Sequence, residues 1–225
     1  MNGKAVLFDL DGTLTDPFEG ITKCLQHALR SSGLSSPPPQ AELAQYIGPP
    51  LTEAFRELLS TDDTDAIDRA VRSYRERFAE LGMYENAVYA GVPEALADLF
   101  VEGYALYVAT SKPVEFARRI VDHFQLHTLF RAVHGSELDG TLSDKAELIA
   151  SIMQEHALNP QECIMVGDRR HDVVGAIACG VPVVGVLWGY GSQEELVGAG
   201  ATVLCEHPEH LFGTINSLAG TGNTP

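Results

Sequence analysis

The sequence predicts an α/β fold, a doubly wound parallel sheet of the Rossmann-like type with a small bundle of α-helices inserted into it. Apolar residues come in continuous runs, as expected of strands buried on both faces of a parallel sheet. After about residue 86, helical patterns alternate with these runs, which is typical of βαβ units. A chain of 225 residues is long enough for one core with a smaller inserted domain.

The predicted strands are short runs of aliphatic, aromatic and β-branched residues. They lie at 4–10 (KAVLFDL), 105–111 (ALYVATS), 162–168 (ECIMVGD), 181–189 (VPVVGVLWG) and 201–205 (ATVLC). Helical patterns separate them, and two of these begin at Pro93 and Pro113, since a helix tolerates proline in its first turn. These helical segments are 92–103, 112–126 and 143–158.

The segment 16–85 is predicted to be a separate helical domain, with 1–15 and 86–225 forming the core. Apolar residues recur there at helical spacing in three segments separated by polar residues. The first face carries Ile21, Leu25, Ala28 and Leu29, the second Leu51, Ala54, Phe55, Leu58 and Leu59, and the third Ile67, Ala70, Val71, Tyr74, Phe78 and Leu81. Residues 31–40 (SSGLSSPPPQ) are predicted to be a loop between helices.

Charge and cysteine usage exclude several classes of partner. The formal net charge is −16, which repels the phosphate backbone of nucleic acids and an anionic membrane surface. The four cysteines are far apart and form no CxxC pair, which indicates free thiols in a reducing compartment. The first residues resemble neither a signal peptide nor a membrane span. We therefore expect a cytoplasmic protein, monomer or homodimer, that binds neither nucleic acid nor membranes.

Carboxylates and other polar residues follow three of the predicted strands. Ligands of open α/β sheets bind beyond the carboxyl ends of the strands, so we expect these side chains to meet in one crevice. They are Asp9 and Asp11 after the first strand, Thr110 and Ser111 after the second, Asp168 and Asp172 after the third, and Lys145 at the start of a helix.

Several carboxylates without a cysteine or histidine cluster indicate a hard, oxygen-binding cation, most simply magnesium (Mg²⁺). Hydroxyls, backbone N–H groups and a lysine are suited to phosphate oxygens, so the set indicates phosphoryl chemistry. A calcium loop of the EF-hand type is excluded, because DLDGTLTDPFEG has Leu14 where that loop needs glycine and Gly20 where it needs glutamate.

Four segments, DLDGTLTD, ATSKP, Lys145 and GDRRHD, resemble in order and spacing the four motifs of the haloacid dehalogenase superfamily. The likeness spans nearly the whole chain, and the helical insertion is similar to the α-helical cap of that superfamily. The resemblance implies that Asp9 is the nucleophile and forms an aspartyl-phosphate, and that Asp11 is the general acid and then the general base. It also implies that Thr110 and Ser111 hold the phosphoryl oxygens and that Lys145 neutralises Asp9 and the phosphate.

The same resemblance implies how the metal is bound. Mg²⁺ would be held by Asp9, the carbonyl of Asp11 and Asp168, with Asp172 supporting the metal or Lys145. One residue departs from the pattern: Arg169 stands where the family often has a small hydroxyl residue. We expect its side chain to form a structural pair with an acidic neighbour such as Asp172; reaching the substrate is the alternative.

The function that the resemblance implies is a Mg²⁺-dependent phosphatase acting on a small phosphorylated metabolite, most similar to phosphoglycolate phosphatases. Two alternatives stay open, a 5'-nucleotidase acting on nucleoside monophosphates and a phosphosugar mutase, which is an isomerase. A mutase would need a second phosphate clamp in the cap, and the uncharged segment YIGPPL at 46–51 offers none. A dehalogenase lacks the second aspartate of the first motif, so Asp11 argues against that reaction.

Overall fold

The computed structural model describes residues 4–221. The chain divides into two compact units, one of them Asp16–Ala87 and the other formed by the residues up to Thr15 and from Val88 onward. We call these the helical unit and the core unit. The second boundary lies two residues later than the predicted one at 85/86.

The described strands form two sheets. A six-stranded sheet has the order β5-β4-β1-β6-β7-β8, and every pairing in it is parallel. A two-stranded sheet pairs β2 with β3. The strands are β1 (Ala5–Phe8), β2 (Thr15–Asp16), β3 (Ala87–Val88), β4 (Ala105–Pro113), β5 (Phe130–Ser136), β6 (Cys163–Gly167), β7 (Val183–Val186) and β8 (Val203–Cys205).

The described helices are α1 (Phe18–Ser31), α2 (Gln40–Leu43), α3 (Leu51–Leu58), α4 (Thr64–Arg77), α5 (Val92–Val101), α6 (Val114–His123), α7 (Lys145–Glu155), α8 (Arg170–Ala178), α9 (Gln193–Ala199) and α10 (Leu211–Thr221). Short 3-10 turns occupy Ala44–Tyr46, Pro160–Glu162 and Pro208–His210. None of the helices within residues 4–221 combines the length and apolar character that crossing a bilayer requires.

The strand β1 lies at the centre of the large sheet. All four of its residues are buried, and Phe8 is in register with Val108 of β4 on one side and Val166 of β6 on the other. From β1 the chain builds the sheet outward through β4 and β5, then returns to the other side of β1 for β6, β7 and β8. This order confirms the predicted doubly wound α/β fold, and its reversal beside β1 creates the crevice in which such folds bind ligands.

The sequence patterns missed strand β5 at the edge of the large sheet. Its middle residues, including Arg131 and His134, are exposed or half-buried, because an edge strand has a neighbour on one side only. A strand of this composition lacks the continuous apolar run that identified β1 and β6. Helices α8, α9 and α10 were likewise not among the predicted segments.

The helical unit contains the expected apolar faces, with one exception. Phe55 packs edge-to-face on Tyr74, which stacks on Phe78 with ring centroids 5.6 Å apart. Leu81, predicted on the same face, is 55% exposed. The physical reason is a π-helical turn at Phe78–Gly82, which widens the helix by one residue per turn and rotates Leu81 off that face.

Candidate active site

The turn after β1 places Asp9 at the centre of the sheet edge. The N–H of Asp9 donates to Val166 O at 2.9 Å, which extends the pairing of β1 with β6 by one residue. Beyond it, Gly12 has a φ of +83°, and its N–H donates to Thr15 O at 2.8 Å. A glycine is needed there because only glycine adopts this backbone conformation without strain. The loop therefore turns sharply after β1, and Asp9, which is 7% exposed, lies at its start.

Lys145, the first residue of α7, forms an ion pair with Asp9. Its position is fixed by Asp144, whose side chain accepts from the N–H groups of Ala146 and Glu147 and caps the helix. Lys145 Nζ lies 3.0 Å from Asp9 Oδ1, 2.9 Å from Ala109 O and 2.7 Å from Asp172 Oδ1. The contacts with Asp9 and Ala109 are hydrogen bonds, and the contact with Asp172 is an ion pair.

Charge balance explains why a lysine is tolerated in this buried position. Burial alone would lower the pKa of Lys145, but the carboxylates of Asp172 and Asp9 outweigh it and raise that pKa above its ordinary value. The ammonium therefore stays charged at any physiological pH. Loss of the lysine would leave the buried carboxylates of Asp9 and Asp172 without their cation, and breaking a buried ion pair in this way typically costs about 3–5 kcal/mol.

Asp168 and Asp172 follow β6, the neighbour of β1. Asp168 Oδ2 accepts from the N–H of Tyr190 at 2.8 Å, and its Oδ1 accepts from the hydroxyl of Thr13 at 3.3 Å. Asp172 Oδ2 accepts from the N–H of Arg169 at 3.1 Å, which caps the start of α8. Asp168 is fully buried and Asp172 is 1% exposed, so both carboxylates are shielded from water.

The pKa values of these two aspartates reflect that shielding. Burial, together with the negative charges of Asp172 and Asp9, raises the pKa of Asp168 well above its ordinary value. Burial raises the pKa of Asp172 to about 6, with Lys145 acting in the opposite direction. Both aspartates resist ionisation because they are buried and lie beside the carboxylate of Asp9. A bound cation would relieve this repulsion between negative charges.

The carboxylates of Asp9, Asp168 and Asp172 form one acidic cluster. One oxygen from each lies within 4.8 Å of the others, and the cluster offers oxygen donors only. A side chain at Gly12 or at Gly189 would collide with the carboxylate of Asp168, so both glycines keep its surroundings open. The donor set therefore fits a hard divalent cation such as Mg²⁺.

Asp11 lies apart from this cluster and pairs with a second lysine. Lys112 Nζ is 2.7 Å from Asp11 Oδ2, and both side chains are largely buried. Burial raises the pKa of Asp11, with Lys112 opposing the rise and Asp9 adding to it. Asp11 Oδ1 is buried and has no hydrogen-bond partner within residues 4–221, which leaves it available to a ligand.

The pairing of Lys112 with Asp11 was not predicted from the sequence. Lys112 follows Thr110 by two residues, a spacing that puts both on the same side of an extended strand. That spacing is the signal that could have identified it. With Lys112 included, the four carboxylates face two lysines instead of one.

Thr110 and Ser111 lie near the carboxyl end of β4, which continues to Pro113, two residues beyond the predicted strand. Thr110 is 2% exposed, and its hydroxyl oxygen accepts from the N–H of Lys112 at 3.2 Å. Ser111 O accepts from the hydroxyl of Ser136 at 2.9 Å, which ties the end of β4 to that of β5. The two hydroxyl residues therefore belong to the same sheet edge as Asp9.

The side chain of Arg169 points to a different acid from the one expected. Its Nε is 3.0 Å from Glu195 Oε1, and the same oxygen accepts from the N–H of Arg170 at 2.8 Å. Asp172 accepts from the backbone N–H of Arg169 instead. The sequence did not identify Glu195 as a partner, because it is 26 residues away and meets Arg169 only in the folded chain.

A family model described as haloacid dehalogenase-like hydrolase matches residues 6–186. The chain belongs to the haloacid dehalogenase-like hydrolases. Its sequence is 48% identical over 200 residues to a 5'-nucleotidase from Pseudomonas aeruginosa, covering 89% of this chain and 90% of that protein. The solved structure of a predicted phosphatase from Clostridium acetobutylicum is 40% identical, with a TM-score of 0.91 over 96% of this chain and 99% of that one.

Two further relatives of this haloacid dehalogenase-like hydrolase bear on its activity. A phosphoglycolate phosphatase from Pseudomonas putida is 31% identical over 83% of this chain and 70% of that protein. The tyrosine-protein kinase PtkA of Mycobacterium tuberculosis is 38% identical over 88% of this chain and 67% of that protein. The prediction of a phosphatase of this family is confirmed by the family and its phosphatase relatives.

Proposed function

We propose that this haloacid dehalogenase-like phosphatase is Mg²⁺-dependent and hydrolyses nucleoside monophosphates through an aspartyl-phosphate on Asp9. One observation carries the mechanism: the carboxylates of Asp9, Asp168 and Asp172 form one cluster at the carboxyl ends of adjacent parallel strands, and Lys145 pairs with Asp9 and Asp172. A nucleophilic carboxylate, a cation-binding cluster and a buried positive charge are the components that phosphoryl transfer requires.

Asp9 attacks phosphorus and the bond between phosphorus and the ester oxygen breaks. Lys145 Nζ, 3.0 Å from Asp9 Oδ1, orients the carboxylate so that its other oxygen faces the substrate. Because Lys145 also binds Asp172 and the backbone at Ala109, it is held rigidly and cannot drift from Asp9. The result is a phosphoryl group bonded to Asp9 and an alcohol leaving group.

Asp11 is the general acid that protonates this leaving group. Its raised pKa keeps a proton available for the departing ester oxygen, and its buried Oδ1 has no competing partner within the described residues. Asp11 then takes a proton from the water that attacks the aspartyl-phosphate, which frees Asp9 and inorganic phosphate. Lys112, 2.7 Å from Asp11 Oδ2, fixes the orientation of the carboxylate through both steps.

Asp9, Asp168 and the carbonyl of Asp11 would hold Mg²⁺, with Asp172 supporting Lys145 and the metal cluster. When bound, the ion neutralises charge on the phosphoryl oxygens. Thr110 and the backbone at Ser111 hold the same oxygens from the end of β4. With all four carboxylates ionised and both lysines charged, the formal charge of the site is −2, so a divalent cation offsets the charge that resists ionisation of the aspartates.

The relatives favour nucleoside monophosphates as the substrate class. The relative named 5'-nucleotidase shares 48% of the aligned residues, whereas the phosphoglycolate phosphatase shares 31%. The sequence-based ranking, which put phosphoglycolate first, is therefore reversed in this proposal. The match covers only 67% of PtkA, so we do not extend the kinase activity that its name states to this chain. The mutase alternative gains no support from these relatives.

A comparison of substrates tests this ranking. We expect kcat/KM for nucleoside 5'-monophosphates to exceed that for phosphoglycolate and hexose phosphates by about tenfold or more, equivalent to roughly 1.4 kcal/mol of differential transition-state binding. The measurement is release of inorganic phosphate in Mg²⁺, with Asp9→Asn as the blank for contaminating phosphatases. A higher kcat/KM for phosphoglycolate would contradict this ranking and favour the hypothesis of a phosphoglycolate phosphatase.

Removal of the metal should make stability depend on pH. The raised pKa values of Asp168 and Asp172 mean that the folded chain binds these protons more tightly than the unfolded chain. Both contributions to the free energy of unfolding are complete below the ordinary aspartate pKa of 3.8. The contribution of Asp172 is lost as pH rises through its pKa of about 6, and that of Asp168 is lost as pH rises through its own raised pKa. In chelator, the melting temperature should therefore fall over this range, and Mg²⁺ should oppose the fall.

At neutral pH and a hundredfold excess over its Kd, Mg²⁺ should add about 2.7 kcal/mol, or roughly 5–11 °C in melting temperature for a chain of this size. Asp168→Asn should abolish most of this shift. An asparagine can still accept from Tyr190 N–H and bond to the hydroxyl of Thr13, so the metal-free variant should be at least as stable as wild type. Asp98→Asn, on the exposed side of α5, is the matched control. A variant that melts lower in chelator yet keeps the full Mg²⁺ shift would place the metal elsewhere.

A further inference from the structure

Two histidines and a glutamate form a second cluster that the proposed catalysis does not use. His134 lies on β5, Glu155 is the last residue of α7, and His156 follows it. The two Nε2 atoms are 2.8 Å apart. Glu155 Oε2 lies 3.9 Å from His134 Nδ1, and Glu155 Oε1 lies 3.8 Å from His156 Nε2. One ligand atom from each residue lies within 4.8 Å of the other two.

The surroundings of this histidine cluster hold the rings in place and leave them accessible. The side chains of His134 and His156 are 16% and 24% exposed, and that of Glu155 is 61% exposed. The ring of His156 packs on Tyr107, with centroids 4.7 Å apart, and Tyr107 is itself buried in the sheet. The imidazoles are therefore fixed by packing, while the carboxylate can move from solvent toward them.

We propose that His134, His156 and Glu155 bind a Zn²⁺ ion at a site separate from the acidic cluster. Imidazole nitrogens suit Zn²⁺, and two histidines with one carboxylate form a known donor set that leaves a position for water. Zn–N bonds of about 2.0–2.1 Å in tetrahedral geometry put the two nitrogens roughly 3.3 Å apart. The observed 2.8 Å needs to widen by only half an ångström or so, which small ring rotations provide.

Zn²⁺ would replace the hydrogen bond between the two rings. In the metal-free pair one Nε2 donates and the other accepts, whereas both must offer a lone pair to the ion. The ring that donates therefore moves its proton to Nδ1, and no net proton is released. If His134 is the ring that donates, its proton moves to Nδ1, which lies 3.9 Å from Glu155 Oε2. The carboxylate of Glu155 can attract that proton until the carboxylate itself turns to bind the metal.

The position of the site predicts what the ion does. Helix α7 begins with Lys145 in the acidic site and ends with Glu155, a rise of about 15 Å at 1.5 Å per residue. Zn²⁺ would tie the end of this helix to β5, which is an edge strand with a neighbour on one side only. We therefore expect the ion to stabilise the core unit and to leave the acidic cluster to Mg²⁺.

Calorimetric titration of the full chain with Zn²⁺, in excess Mg²⁺ to saturate the acidic cluster, tests the proposal. Wild type should bind one Zn²⁺ per chain and melt at a higher temperature when loaded. His134→Gln and His156→Gln should lose both effects. His127→Gln is the control, because His127 is 55% exposed and lies beyond the end of α6. Unchanged Zn²⁺ binding in both cluster variants, or no binding by wild type, would overturn the proposal.

A measurement on the wild type alone covers the case of a variant that fails to fold. Imidazole ¹⁵N NMR should show the Nε2 resonances of two histidines moving together on addition of one equivalent of Zn²⁺. Co²⁺ as a spectroscopic substitute should give no thiolate charge-transfer band, since the site contains no cysteine. Shifts at other histidines, or a thiolate band, would assign the ion to a different place and refute the site.

Discussion

Asp9→Asn is expected to abolish phosphatase turnover and to leave the fold intact. A neutral amide cannot attack phosphorus, so no aspartyl-phosphate forms. The amide oxygen can still accept from Lys145 Nζ, and Lys145 keeps Asp172 and Ala109 O as partners. Steady-state release of inorganic phosphate measures the activity, and the far-ultraviolet circular dichroism spectrum measures the fold.

Two controls sharpen the test of Asp9. Beryllium fluoride with Mg²⁺ should inhibit the wild type, because it mimics the phosphoryl group on Asp9, and should not bind Asp9→Asn. Acid quenching of a reaction with ³²P-labelled substrate should leave label on the wild type only. Appreciable steady-state hydrolysis by the purified variant would end the assignment of Asp9 as the nucleophile.

Asp11→Asn is expected to lower kcat by about 10²–10⁴, the usual range for loss of a general acid–base group. Aryl phosphates, whose leaving groups need little protonation, should lose less than alkyl phosphates. The comparison of the two substrate types separates a proton-transfer role from a general loss of binding. Equal losses on both types would contradict the role.

Lys112 requires a matched control for the Asp11 experiment. Asp11→Asn leaves the largely buried ammonium of Lys112 without its carboxylate partner at 2.7 Å, and that charge could itself disturb the site. The double variant Asp11→Asn, Lys112→Gln removes the charge. We expect it to be no more active than Asp11→Asn, because the proton donor is still absent. Recovery of activity in the double variant would assign the loss to the lysine instead.

The fold class could be predicted because its signal is local. β1 and β6 are continuous apolar runs followed at once by Asp9 and Asp168, and a strand buried on both faces cannot end in carboxylates without a chemical reason. Because parallel strands carry their carboxyl ends at one edge, the sequence alone also predicted that these aspartates would lie close together. The acidic cluster and the position of Lys145 agree with that expectation.

What the sequence by itself determined is thus the doubly wound α/β class, the family, and the carboxylates that follow β1 and β6. Tertiary structure decided the partners: Lys112 for Asp11, Glu195 for Arg169 and His156 for His134. Periodicity cannot find such pairs, because each depends on side-chain direction or on chain segments that meet only when the sheet assembles. The edge strand β5 and the π-helical turn that contains Leu81 were not predicted for a related reason. In both, the local pattern was weaker than the packing that fixed the conformation.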